Sequence, residues 1–267
     1  MRSAFFLEGS AGSLFCTGFL HPPETGQRRK FLIIPPFAEE LNKSRHVLAA
    51  LAAAIGEAGH DVLMPDLFGT GDSAGDFSQA TLGIWRTDLD TVIELLGAAD
   101  GLELIGLRAG ALLAADTATR HESKTLTLLH PVHDGRQQLT QMLRLRLAGS
   151  LMSGGEQETM AQLKERLAAG ECLEIGGYGL SGQLAGDLET LSLKQQLPSH
   201  VACVNWMEVA REAKRPLMPA SQGIIDAWRG SGVSVDSSVV ACDQFWATQE
   251  IARCSGLVRE AVRRLLE

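Results

Sequence analysis

The pentapeptide GLRAG at residues 106–110 constrains the fold more than any other part of the sequence. It ends an apolar run that begins at Leu102, and it opens a helical run that begins at Ala109. A strained turn from strand to helix of this kind presents its central residue at the top of a sheet. That central residue is Arg108, whose guanidinium stays charged and cannot act as a nucleophile. The centre of the turn therefore indicates anion or carboxylate binding.

Strand-like and helical patterns alternate along the first half of the chain. Continuous apolar runs, typical of strands buried on both faces, occupy residues 31–34, 61–65, 102–107 and 125–129. Helical patterns occupy residues 41–57, 82–96 and 109–119. Two earlier runs, at 3–7 and 13–20, predict an antiparallel hairpin at a sheet edge. The order predicts an α/β fold with a mostly parallel central sheet, an antiparallel beginning and helices on both faces.

The alternation stops between about residues 137 and 197. Helical runs at 137–151 and 156–168, a short strand at 172–175 and a Gly-rich bend at 176–179 fill this segment. It is far longer than a typical connection between elements, and we interpret it as a helical cap inserted over the sheet. Strands at 201–207 and 233–241, with helices at 220–230 and within 247–266, then complete one domain spanning residues 1–267.

Composition narrows the class of protein. The net charge of -8 disfavours a nucleic-acid partner. No apolar stretch approaches the roughly 18 residues of a membrane span, so no transmembrane segment is expected. The five cysteines are widely spaced and contain no C-x-x-C pair. We therefore expect reduced core cysteines in a cytoplasmic protein, with no metal site and no cofactor.

This order of elements resembles the α/β-hydrolase fold. In that fold the G-x-S-x-G nucleophile elbow stands where GLRAG stands here. The segment 66–75 resembles the loop after the fourth strand of lipase- and peptidase-like members, and the segment 35–40 takes the place of the loop that supplies an oxyanion-hole amide. The resemblance implies that the oxyanion donors are the Ala109 N–H and an amide near Phe37 or Ala38.

Three motifs resemble one narrower family, the second hydrolase of the exosortase-A system. They are the stretch from Pro35 to Arg45, the Gly-Leu-Arg elbow, and the late pair Phe245-Trp246. That family occurs in Gram-negative bacteria beside exopolysaccharide and protein-sorting genes. The resemblance implies a role in such a system, and the family's name asserts hydrolysis without establishing it.

A serine triad in this fold needs a nucleophile at the elbow and a histidine after the last strand. Arg108 holds the first position, and the last histidine in the chain is His200, well before the second position. An acid alone, such as Glu208, orients nothing. We therefore predict that the usual Ser-His-Asp triad is missing. The alternative is an active hydrolase of an ester, amide or acyl-glycan, with His130 or His133 as a relocated base and Asp134 as its partner.

A buried guanidinium needs a partner, and the sequence leaves two possibilities for Arg108. Glu39 or Glu40 in the facing loop could form an internal ion pair, or a ligand carboxylate, phosphate or acidic sugar could reach in from a pocket. The ligand-binding residues predicted for this site are Arg108, Ala109, Phe37, Ala38, Glu39, Glu40 and Trp246.

The main hypothesis is thus an accessory or anion-binding factor that takes an acidic small molecule or glycan. A protein partner is a further possibility. The helical stretch 141–147 of the cap alternates apolar and basic residues, including Arg144 and Arg146, and could present a docking surface.

Overall fold

The computed structural model describes residues 2–22, 28–97, 101–153, 158–212, 214–248, 250 and 252–266. The strands are β1 (Arg2–Glu8), β2 (Ser13–Phe19), β3 (Lys30–Ile34), β4 (Asp61–Pro65), β5 (Leu102–Leu107), β6 (Ser123–Leu129), β7 (Leu173–Ile175), β8 (Tyr178–Leu180), β9 (Val201–Ala210) and β10 (Val235–Ala241). The helices are α1 (Glu39–Glu57), α2 (Leu82–Leu96), α3 (Ala109–Arg120), α4 (Gly135–Ser153), α5 (Met160–Ala168), α6 (Gly182–Glu189), α7 (Pro219–Gly230) and α8 (Ser255–Leu266).

One sheet of eight strands organises the fold, in the order β1-β2-β4-β3-β5-β6-β9-β10. The strands β1 and β2 pair antiparallel, and β2 joins β4 antiparallel, whereas the six strands from β4 to β10 run parallel. The sequence-based prediction of a mostly parallel sheet with an antiparallel beginning is confirmed. The carboxyl ends of β3, β5 and β6 meet at one edge of the sheet, where ligands bind in open α/β folds.

The buried strands are apolar on both sides because each side is covered by helices. Phe31 and Ile33 of β3 pack in the core that includes α1 and α8, and Leu32 and Ile34 pack in the core that includes α2 and α3. This double burial explains why the central strands appear in the sequence as continuous apolar runs rather than alternating ones.

The segment between β6 and β9 carries α4, α5, the antiparallel hairpin β7–β8, and α6. The sequence analysis predicted two helices and the strand β7 here, and it missed β8 and α6. The Gly-rich bend is the turn of the hairpin, where Gly176 and Gly177 take positive φ values of 58° and 86°. Residues 156 and 157 of the second predicted helix lie outside the described residues. The assignment of the chain to one domain with a cap stays a prediction.

The prediction of reduced core cysteines is wrong for one disulfide-bonded pair and for Cys172, which is exposed. Cys242 and Cys254 form a disulfide that links the segment after β10 to the start of α8, whereas Cys16, Cys172 and Cys203 are free. The sequence shows no sign that a residue twelve positions after Cys242 returns to it. The cysteines therefore give no support for a cytoplasmic location. Among the described residues, no helix is both long and apolar enough to cross a membrane.

The buried carboxyl of Asp88 on α2 suggests a test of the fold. Its Oδ2 accepts the Phe68 N–H at 2.9 Å, its Oδ1 has no partner among the described residues, and burial raises its pKa to about 6. In an unfolded chain an aspartate has a pKa of about 3.9. As the pH falls, Asp88 therefore binds its proton at a higher pH in the folded protein than in the unfolded chain. Charged Asp88 therefore destabilises the fold increasingly as the pH rises from about 4 to about 6.

We expect Asp88→Asn to raise the free energy of unfolding, because the amide keeps an acceptor for Phe68 and carries no charge. The gain at about pH 8 should exceed the gain at about pH 4 by roughly 2 kcal/mol. Urea unfolding at both pH values measures this difference. A gain that is equal at the two pH values would show that the charge of Asp88 is not the cause.

Candidate functional site

Strained backbone concentrates at the carboxyl edge of the sheet. Three non-glycine residues among those described have positive φ: Ala38 at 54°, Arg108 at 56° and His130 at 40°. They follow β3, β5 and β6 respectively, the three adjacent strands whose ends meet there. Such conformations cost of order 1–3 kcal/mol each, and they cluster at functional sites. The geometry thus marks this edge as the candidate site without reference to any side chain.

The turn at Arg108 has the strained form that the sequence predicted, with φ 56° and ψ -120° directly before α3. A Cβ on Gly106 would lie 2.5 Å from the Ala111 Cα, and a Cβ on Gly110 would lie 2.3 Å from the Ile34 carbonyl oxygen. Both positions require glycine because backbone passes too close for a side chain. The Arg108 N–H donates to the Leu129 carbonyl at 3.0 Å, which ties the turn to β6.

The guanidinium of Arg108 is bound from several sides. Its Nη2 lies 3.0 Å from Glu40 Oε1, and its Nε donates to the same oxygen at 3.2 Å. Nη2 also donates to Gln141 Oε1 at 2.8 Å, and Nη1 lies 3.5 Å from the His130 carbonyl oxygen. The Arg108 side chain is only 8% exposed. Of the two carboxylates that the sequence offered, Glu40 is the partner, and Glu39 instead pairs with Lys43 at 3.4 Å.

Trp246 stacks on the same guanidinium. The Arg108 Cζ lies 5.0 Å from the centre of the Trp246 ring, which is the geometry of a cation–π contact. The ring also lies 4.6 Å from the imidazole of His130. Trp246 follows the last strand, β10, which is where the chain order of a serine triad would place the histidine base. An indole, which cannot accept a proton here, therefore contacts the residue at the elbow.

His130 is held as a neutral side chain. Its Nδ1 accepts the Val209 N–H at 2.9 Å, so the proton of the neutral ring is on Nε2. Burial, reinforced by the charge of Arg108, lowers the pKa of His130 to about 3. A general base should have a pKa near the working pH and a free acceptor nitrogen. His130 meets neither condition.

Among the described residues, no hydrogen bond joins His133 to Asp134, the predicted base and acid. His133 Nε2 lies 2.8 Å from Ser221 Oγ, and Asp134 Oδ1 instead accepts the Gln137 N–H at 2.8 Å. Burial lowers the pKa of His133, an effect that Glu208 and Asp134 oppose and Arg108 reinforces. The structure thus contains a serine–histidine contact that the sequence analysis missed. Ser221 is fully buried at the start of α7, however, with 0% exposure.

The remaining predicted residues lie around the elbow. Ala109 is the first residue of α3, so its N–H points out of the helix start, and no hydrogen bond among the described residues uses it. The ring of Phe37 packs 5.0 Å from that of Trp85 in the core. Ala38 starts α1, where its carbonyl accepts the Leu41 N–H at 3.1 Å. The oxyanion role of these amides stays a prediction.

A small inner cavity of about 80 Å³ lies between the start of α1 and the cap helix α4. A larger, open outer cavity of about 610 Å³ adjoins it, and both are lined by Glu39 and Leu145. The inner cavity is lined by Phe37, Ala38, Glu39, Glu40, Gln138, Gln141, Met142, Leu145 and Ile175. Arg108 and Trp246 do not line it, because Glu40 and Gln141 stand between the guanidinium and the cavity.

Gln138 and Gln141 line the inner cavity and were not among the predicted site residues. They share one face of α4 with Met142 and Leu145, at the i, i+3, i+4 and i+7 spacing of a helix. That spacing was the available signal, because it places two amides within an otherwise apolar stripe. Among the described residues, no group of three His, Cys, Asp or Glu side chains is arranged to hold a metal ion.

The chain has the α/β-hydrolase fold. Est1E from Butyrivibrio proteoclasticus, in a structure with ferulic acid bound, matches with a TM-score of 0.64 at 18% identity over 98% of each chain. The enol-lactonase from Burkholderia xenovorans LB400 matches with a TM-score of 0.64 at 14% identity, over 98% of this chain and 100% of that one. A serine hydrolase homologue from Coxiella burnetii matches with a TM-score of 0.57 at 16% identity, over 98% of this chain and 97% of that one. No protein-family model and no curated protein matches the sequence.

The ion pair at the elbow suggests a comparison of two neighbouring glutamates. We expect Glu40→Gln to lower the free energy of unfolding by about 3 kcal/mol, because it leaves a buried guanidinium without a countercharge. Glu39→Gln is the matched control. It removes an exposed partner of Lys43, and surface pairs of this kind contribute about 0–1 kcal/mol.

Urea unfolding of the two variants measures this difference at one pH and one salt concentration. Equal losses would mean that Glu40 does not balance the charge of Arg108 in solution.

Proposed function

We propose that this protein is a non-hydrolytic member of the α/β-hydrolase fold that works as an accessory binding factor. The observation that carries the proposal is the contact between Arg108 and Trp246. The nucleophile and the base of a serine triad would meet at this point, and an arginine and a tryptophan meet there instead. Neither side chain can attack a carbonyl or accept a proton from a serine.

The position of the acid supports the same conclusion. Glu208 lies near the carboxyl end of β9 and is fully buried. Its Oε2 accepts from Arg215 at 2.6 Å, and both of its oxygens lie within 3.2 Å of the Met218 N–H. This carboxylate holds the segment before α7, and among the described residues no imidazole forms a hydrogen bond with it.

The binding site in this proposal is the inner cavity, whose lining includes Phe37, Ala38, Glu39 and Glu40. Arg108 holds Glu40 through an ion pair, and Trp246 stacks on Arg108. An acidic ligand, which the sequence suggested, would have to displace Glu40 from Arg108 before it could reach the charge. The role in exopolysaccharide or exosortase systems is part of the proposal and is supported by the three sequence motifs alone. A protein partner at the cap would meet Arg144, because Arg146 is already bound to Glu158 at 2.8 Å.

A specific observation favours one alternative, an active hydrolase that uses the contact between His133 and Ser221. In this version Ser221 would attack an ester, amide or acyl-glycan, and His133 would accept its proton. The complete burial of Ser221 opposes it, because a substrate carbonyl must approach the hydroxyl oxygen closely. The relocated-base hypothesis built on His130 finds less support, because both of its ring nitrogens and its pKa are unsuitable.

One labelling experiment separates the two functions. We expect the purified protein to show no stoichiometric labelling by a fluorophosphonate probe, and no hydrolysis of a panel of short-chain esters above the rate in free solution. Arg108→Ser should stay inactive as well, because it restores a nucleophile without a base. Mass spectrometry of any labelled protein would locate the site. Labelling of Ser221 that disappears in His133→Ala would overturn the proposal in favour of the alternative.

A further inference from the structure

Two residues that line the inner cavity each carry a buried polar atom without a hydrogen-bond partner among the described residues. Gln138 is only 4% exposed, and its Oε1 has no partner among the described residues. Glu40 Oε2 is likewise buried and without a partner there, although Glu40 Oε1 accepts twice from Arg108. Both residues line the same cavity. Buried polar atoms in folded proteins are nearly always hydrogen-bonded, so two such atoms in one cavity indicate a missing ligand.

The chemistry of these atoms defines what the cavity can accept. An ionised carboxylate oxygen only accepts hydrogen bonds, and the Gln138 oxygen, as placed, also accepts. The ligand therefore has to donate. Among the described residues that line this cavity there are two carboxylates and no cationic side chain. A hydrogen bond from a charged donor to a carboxylate is stronger than one from a neutral donor, which favours an ammonium group over a hydroxyl group.

The rest of the lining indicates what the ammonium group is attached to. Phe37, Met142, Leu145 and Ile175 supply apolar surface around the two acceptors. The inner cavity of about 80 Å³ has room for a small head and the first atoms of a chain. Leu145 also lines the outer cavity of about 610 Å³, so a longer chain has a path outward. Apolar walls that lead away from paired acceptors fit an alkyl chain better than a polyol.

We infer that the inner cavity binds the ammonium head of a primary amine that carries an apolar chain, with Glu40 Oε2 and Gln138 Oε1 accepting from the nitrogen. This inference rests on the proposed binding function and gives it a class of ligand. It reverses the charge of the ligand that the sequence suggested. Arg108 contributes indirectly, since it holds Glu40 through Oε1 and leaves Oε2 without a partner among the described residues.

Three ligands of equal length test the inference: n-hexylamine, 1-hexanol and hexanoate. They share one alkyl chain and differ in the head group. At neutral pH the head of hexylamine is a cationic donor, that of hexanol is a neutral donor, and that of hexanoate is an anionic acceptor. Titration calorimetry with the full chain, supported by protein-observed NMR, measures each dissociation constant. We expect hexylamine to bind at least tenfold more tightly than either of the others. Tighter or equal binding of hexanoate or hexanol, or no binding of any of the three, would overturn the inference.

Two variants of Gln138 locate the binding. Gln138→Leu removes the unpartnered oxygen and should therefore weaken hexylamine binding at least tenfold. The midpoint of urea unfolding should stay unchanged or rise, because an apolar group replaces a buried unsatisfied amide. Gln138→Glu adds a second carboxylate and should tighten binding. Gln183→Leu on α6 is the matched control, since Gln183 is exposed and bonds Asp187 far from the cavity lining. Unchanged binding in both Gln138 variants would place the amine elsewhere and overturn the inference.

The outcomes remain distinct from those of the labelling experiment. A protein that stays unlabelled and binds no amine would keep the proposed non-hydrolytic function and lose only this ligand class. A protein that is labelled at Ser221 would lose the proposed function whether or not hexylamine binds.

Discussion

The ion pair between Arg108 and Glu40 connects parts of the chain that are distant in sequence. The guanidinium stands on the turn between β5 and α3, Glu40 belongs to α1, Gln141 to the cap helix α4, and Trp246 to the segment after β10. A buried charge that cannot be neutralised by losing a proton must be compensated by its surroundings. Four segments therefore have to converge on one residue, and this convergence sets the shape of the cavity above it.

The backbone at this edge keeps the strained form of a nucleophile elbow, although its central residue is an arginine. Arg108 keeps a strained positive φ, and Gly106 and Gly110 are needed for the close approach of the neighbouring backbone. That geometry depends on the glycines and on the bond from the Arg108 N–H to β6, and not on the identity of the central side chain. The same turn can therefore present a serine hydroxyl in one protein and a guanidinium in another, which is why fold alone does not establish an activity.

The sequence predicted the elements well where one physical signal dominates. The limits of β4, β5 and α2 agree with the predictions because apolar runs there are bounded by proline or glycine, and the helix α2 is capped by Thr81. The cap was harder, because β8 and α6 follow a Gly-rich bend that hides their periodicity. The disulfide and the contact between His133 and Ser221 were missed for another reason. Each joins residues whose approach depends on the packing of whole elements, which local patterns do not describe.

The polarity of the candidate site follows from the same ion pair. In a hydrolase of this fold, the elbow region presents hydrogen-bond donors to a developing negative charge. Here Arg108 donates to Glu40 Oε1 and Gln141 Oε1, and it is not among the residues that line the inner cavity. The second oxygen of Glu40 and the oxygen of Gln138, on two residues that do line it, have no partner among the described residues. An arginine at the nucleophile position thus does more than remove an attacking oxygen. In the inferred site, its countercharge presents acceptors where a hydrolase of this fold would receive an anion.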